Sequence, residues 1–140
     1  MRGLTFDPGN RRIYAAICCI GFIAVYDEEG NPVATSGSFP NVRYPEGIAF
    51  DPLNNQLYVA NAGDPVTVYD EEGNQIPNNG FRGYYVGEKL AIAFDVSTRR
   101  IFVLGDAGVA AFDEAGNHIT TSGPFANTEF APASLVPVPR

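Results

Sequence analysis

Val25-Tyr26-Asp27-Glu28-Glu29-Gly30-Asn31 recurs unchanged as Val68-Tyr69-Asp70-Glu71-Glu72-Gly73-Asn74, and more loosely as Ala111-Phe112-Asp113-Glu114-Ala115-Gly116-Asn117. The three aspartates are 43 residues apart. Upstream of each copy lies a second shared stretch: Gly3-Leu4-Thr5-Phe6-Asp7-Pro8, Gly47-Ile48-Ala49-Phe50-Asp51-Pro52 and Ala91-Ile92-Ala93-Phe94-Asp95-Val96. Its phenylalanines are 44 residues apart. A repeat of this length is one supersecondary unit that buries its apolar faces against its neighbours. Paired-helix repeats would show apolar residues at a 3.6-residue period, and none is visible. Each repeat instead holds four short apolar runs separated by turn residues; in the second these are Gly47–Phe50, Gln56–Ala60, Val66–Tyr69 and Gln75–Ile76. Four antiparallel strands per repeat follow.

The turns can be read one by one. In Asp7-Pro8 and Asp51-Pro52 the carboxylate accepts from nearby backbone N–H groups while Pro presets φ. Asp-Glu-Glu-Gly-Asn fits a hairpin with Gly in the left-handed region, where a Cβ would be strained. Phe39, Phe81 and Phe125 follow small or polar residues and mark where the chain leaves an outer strand.

Composition agrees. In 140 residues, 45% are hydrophobic and 18% charged, with Gly 15, Pro 11, Tyr 7 and Phe 10. That is a folded, all-β composition, with residues 1–140 as one domain. The net charge of −7 disfavours a nucleic acid or an anionic membrane as partner, since both require clustered Lys and Arg. Ile13 to Tyr26, the most apolar stretch, is too short to span a bilayer and is interrupted by Gly21, so no membrane insertion is expected. Met1-Arg2 leads directly into repeat sequence, with no leader visible. A cleaved leader would leave the same start, and the expectation leans to an extracytoplasmic or secreted protein. Two adjacent cysteines do not form a disulfide framework.

The cadence of residues 47–74, Gly-Ile-Ala-Phe-Asp-Pro followed by Leu-Tyr-Val-Ala-Asn-Ala-Gly and Val-Thr-Val-Tyr-Asp-Glu-Glu-Gly-Asn, resembles the NHL repeat of β-propellers. Repeats one and three match it more loosely, and the resemblance covers about residues 3–126. A WD40 repeat fits poorly, because Trp is absent. The Tyr-Val-Thr-Asn type of propeller repeat stays open, because Tyr58-Val-Ala-Asn61 lies between the two patterns. The resemblance implies three four-stranded blades, at about 3–46, 47–90 and 91–132, and an extra inner strand at 133–138. It implies little about activity, since NHL-like propellers include lyases, lactonases, RNA binders and scaffolds.

Propellers close with about 4–8 blades. Three leave a bare apolar sheet at each end of the arc, so the sequence is either a fragment of a longer chain or pairs with a partner, the expected one being a second copy that makes a six-bladed ring as a homodimer, or another chain that completes it. Ala133–Val136 would compete for an inner-strand slot or latch the junction.

Ligands of such folds bind where loops between second and third strands meet loops between blades. The candidates there are Asn61 and Asp64 in residues 61–65, and Asp106 in residues 105–108. Their structural alternative is to satisfy turn backbone. With Glu46 and Glu88 they would make only a thin Ca²⁺ or Zn²⁺ cage, so no cofactor is expected, Ca²⁺ being the ion these oxygens would take. Repeat one has Ile17-Cys18-Cys19-Ile20 at that place, and an apolar run to Phe22 that reads as a contact surface. Cys18 and Cys19 read as small buried hydrophobes, or as a bond between chains, or as a vicinal disulfide. Arg82, Tyr84 and Tyr85 carry the rigid contact area of binding hot spots, or else cover a blade seam. No catalytic residues stand out. The leading expectation is a non-catalytic binding and assembly scaffold; the alternative is a metal-dependent NHL-like hydrolase or lyase whose site other blades complete.

Overall fold

A computed structural model describes residues 2–18, 20–78, 80–81 and 88–119. Ten strands and no helix occur among them, and therefore no helix long and apolar enough to cross a membrane. The first sheet joins β1 (Gly3–Asp7), β2 (Arg12–Ile17) and β3 (Phe22–Tyr26) in that order. The second joins β4 (Pro45–Asp51), β5 (Gln56–Asn61) and β6 (Thr67–Asp70). The third joins β7 (Lys89–Asp95), β8 (Arg100–Gly105), β9 (Gly108–Phe112) and β10 (His118–Ile119). All pairings are antiparallel between chain neighbours.

The expected fourth strand is reduced in two blades. In blade one it is a single bridge, Tyr26 to Pro32, and in blade two Tyr69 to Gln75. Prolines explain the shortening: Pro32 and Pro77 lack the N–H that a longer ladder would need. One further bond holds each segment, Val33 N–H to Val25 O and Ile76 N–H to Val68 O. The extra strand expected at 133–138 lies outside the described residues.

The hairpins form as their chemistry requires. Asp7 Oδ1 accepts from Gly9 N–H at 2.9 Å, Asp51 Oδ1 from Leu53 N–H at 2.9 Å, and Asp95 Oδ1 from Ser97 N–H at 3.1 Å. Asp27, Asp70 and Asp113 each accept from two backbone N–H groups of their hairpins, which holds Asp27 below the ordinary carboxylate range. Gly30, Gly73 and Gly116 all have φ between 82° and 86°.

Alternation along the strands gives each blade two apolar faces. Tyr14, Ala16, Ile23 and Val25 of blade one pack on Ile48, Phe50, Leu57 and Tyr69 of blade two. Tyr58, Ala60 and Val68, on the other face of blade two, pack on Ile92, Ile101 and Phe112 of blade three. Each such side chain contributes roughly 1.5–3 kcal/mol when fully buried.

Phe39 and Phe81 do more than mark a strand exit. Both adopt left-handed backbone, at φ 52° and 60°, and both are buried plugs in the seams. Phe39 packs against Tyr69 at 5.2 Å and Phe81 against Phe112 at 5.1 Å. Each is tied by its N–H to the glycine carbonyl of the next blade's hairpin, Phe39 to Gly73 at 2.9 Å and Phe81 to Gly116 at 2.7 Å. The left-handed backbone, unfavourable for an aromatic residue, is held by these bonds and by the packing of the ring.

Candidate rim site and blade seams

The loops between second and third strands lie at the same end of the molecule as the loops between blades. Arg43 N–H donates to Asn61 Oδ1 at 2.9 Å, and Ala62 N–H to Tyr44 O at 3.2 Å. One blade further on, Asp106 Oδ1 accepts from Glu88 N–H at 3.0 Å while Asp106 N–H donates to Glu88 O at 3.1 Å. Lys89 N–H reaches Ala62 O at 2.9 Å. The sequence-based candidates Asn61, Asp64 and Asp106 are thus brought to one rim.

Their environments differ. Asn61 is fully buried, and its Nδ2 donates to Pro65 O at 3.2 Å and Thr67 Oγ1 at 3.0 Å. It holds the 62–66 loop in shape. Asp64 is half-exposed, 4.0 Å from Arg43, and Asp106 is exposed. Lys89, the single lysine of the chain, is half-buried nearby. Burial pushes its amine below the usual lysine range, and Asp64 partly opposes that. Sequence reasoning passed over Lys89; its being the one lysine was the available signal. Among the described residues no group of three His, Cys, Asp or Glu side chains is placed to hold a metal ion.

Cys18 is half-buried, with its sulfur 3.8 Å from Glu46 Oε1. Cys19, Arg82, Tyr84 and Tyr85 lie outside the described residues. Phe22 has a different place from the one expected: it pairs with Ile17 on the outer face of blade one, the face that also carries Leu4 and Phe6. Period-two alternation decides this, because a β3 residue whose neighbour Ile23 faces blade two must itself face away. A groove of about 260 Å³ opens beside the rim, lined by Asn41, Arg43, Asp64, Thr67, Gln75 and Asn78 among others.

The seams carry ionisable groups as well. Asp7 and Asp51 are completely buried at the inner hairpins. Asp51 Oδ2 accepts from the Tyr58 hydroxyl at 3.0 Å, and burial together with that carboxylate drives the phenol strongly upward. Among the described residues Asp7 Oδ2 has no donor. Glu71 of blade two faces it across the seam, and the nearby Asp7 carboxylate together with desolvation pushes the Glu71 carboxyl up to about 7. Glu114 is raised by desolvation and by the same relation to Asp51. Arg12 crosses seam one to Glu72 at 2.5 Å.

Three antiparallel sheets, packed face to face along the chain, carry conserved spacing from hairpin to hairpin. The fold is that of β-propeller blades. No family model and no curated protein matches the sequence. Solved structures do. The nidogen/laminin complex aligns with a TM-score of 0.68 at 19% identity, over 82% of this chain and 44% of that one. Kuenenia stuttgartiensis hydrazine synthase aligns with 0.71 at 17%, over 95% and 37%. The WD40 repeats of RRP9 align with 0.66 at 13%, over 85% and 37%. Identities this low speak to fold alone. This chain spans less than half of each of these three chains.

Proposed function

We propose that this chain is a non-catalytic binding and assembly module: an NHL-like half-propeller that self-associates to close a ring and engages a protein or small-molecule partner through its rim loops. One observation carries the assembly half. Leu4 and Phe6 are 59% and 41% exposed, whereas their repeat equivalents Ile48 and Phe50 are 5% and 8% exposed under blade one. An apolar sheet face of this kind marks an interaction surface. The rim supports the binding half, because Asp64, Asp106 and Arg43 present polar groups on a framework that Asn61 and the inter-blade bonds hold rigid. The NHL assignment rests on the residue cadence.

Sedimentation equilibrium tests the reading. A species of two 15.0 kDa chains is expected, and a stable, soluble single chain at all concentrations overturns self-closure. Elemental analysis of the same sample separates the enzyme alternative: stoichiometric, tightly held Ca²⁺ or Zn²⁺ would replace the scaffold reading with a metal-dependent one.

A further inference from the structure

The two seams inside the chain are built from the same parts, and each part has an unmatched third copy. In seam one, Gly37 and Phe39 of blade one dock on the Asp70–Asn74 hairpin of blade two. Gly37 N–H donates to Glu72 O at 2.7 Å and Phe39 N–H to Gly73 O at 2.9 Å. The approach is so close that a Cβ on Gly37 would lie 2.4 Å from the Gly73 carbonyl carbon, and one on Gly73 2.7 Å from the Phe39 ring. Seam two repeats this with Gly80 and Phe81 on the Asp113–Asn117 hairpin, where a Cβ on Gly80 would meet Ala115 O at 2.1 Å. The third hairpin, Asp27–Asn31, has the same sequence as the second and the same glycine φ, yet nothing lies within 4 Å of a Cβ built on Gly30. Among the described residues nothing is docked on this receiver.

The third docking segment is present in the sequence. Ser122-Gly123-Pro124-Phe125 repeats Ser36-Gly37-Ser38-Phe39, glycine and phenylalanine at the same spacing. The Pro is compatible, because the seam bonds come from Gly37 and Phe39 and pass over Ser38. Charge matches too. Arg12 of blade one pairs with Glu72 of blade two across seam one. Their equivalents in a third seam are Arg100 of blade three and Glu29 of blade one, and neither is in an ion pair among the described residues. Seam two has Gln56 and Ala115 at these positions and no such pair. A third seam therefore has the chemistry of seam one.

We infer that a second copy of this chain seats its Gly123–Phe125 segment on the Asp27–Asn31 hairpin and sets its Arg100 against Glu29, covering the blade-one face of Leu4, Phe6, Ile13, Ile17, Phe22 and Tyr26. The inference rests on the reading of the chain as a half-ring closed by self-association, and supplies its contacts. The half-ring reading makes the donor a second copy of this chain. A two-fold ring has two such seams, and each substitution acts in both.

The test is the dimer dissociation constant, from sedimentation equilibrium on full-length chains carrying Arg100→Glu, Glu29→Arg, both together, and Gly123→Ala. Each charge reversal is expected to weaken the dimer by roughly tenfold or more, and the double reversal to return it to within about threefold of wild type. Gly123→Ala is expected to weaken it by at least about tenfold through the clash that Gly37 and Gly80 avoid. Circular dichroism of the dilute chains should be unchanged for all four. A wild-type dimer indifferent to every variant overturns the latch while leaving self-association standing. A wild-type single chain overturns the underlying reading. Two weakened single reversals without rescue overturn the Arg100–Glu29 pairing.

Discussion

Gly30 and Gly73 form a matched pair for measuring what a blade seam is worth. Both are the fourth residue of an Asp-Glu-Glu-Gly-Asn hairpin, with φ 86° and 82°. Replacing either by Ala places a Cβ in the left-handed region, at a cost of about 1 kcal/mol. At Gly73 the new methyl also lies 2.7 Å from two carbons of the Phe39 ring and 3.2 Å from Gly37 O. Relief requires Phe39 to leave its contacts with Tyr14 and Tyr69, or the seam to open. Overpacking of this kind costs about 1–3 kcal/mol. Gly73→Ala should therefore destabilise by about 2–4 kcal/mol and Gly30→Ala by about 1. Urea unfolding of dilute protein, followed by far-UV circular dichroism, reads the difference as a midpoint gap of roughly 0.5–1.5 M for a typical slope. Equal midpoints for the two variants, with equal slopes, would refute the view that the hairpin–phenylalanine contact holds the seams. In the proposed dimer, Gly30 gains the same neighbour, and the gap should narrow at concentrations where chains pair.

Two further outcomes follow from the seam carboxyls and phenols. Glu71, at about 7 when folded against about 4.5 unfolded, binds its proton more tightly in the native state. Its contribution is thus complete below pH 4.5 and lost as pH rises through 7; Glu71→Gln should flatten that slope, with a change of about 1 kcal/mol after solvent screening, measured by unfolding at pH 5 and pH 8. Tyr58→Phe removes the hydroxyl donor at 3.0 Å from buried Asp51 Oδ2 and should cost about 1–3 kcal/mol in the same assay, whereas loss of less than about 0.5 kcal/mol would mean that another donor serves Asp51.

The repeat made the all-β class, the three sheets and the chemistry of their turns legible from residues alone. Asp7, Asp51 and the three Asp-Glu-Glu/Ala-Gly-Asn hairpins act locally, within a few residues, and local hydrogen bonding is what side-chain type and spacing determine. The rim grouping of Asn61, Asp64 and Asp106 was also readable, because equal loops of equal repeats fall at equal places. Which of those residues faces solvent was not: Asn61 is buried and accepts from the backbone N–H of Arg43, 18 residues away along the chain. The same holds for Phe39 and Phe81, whose roles as seam plugs come from the neighbouring blade, and for the raised carboxyl of Glu71, which owes its shift to Asp7, 64 positions away in sequence. Phe22 shows the division most plainly. Its apolar character is written in the chain, but whether it lines a rim or a bare sheet face is set by strand register, a property of three strands packed together.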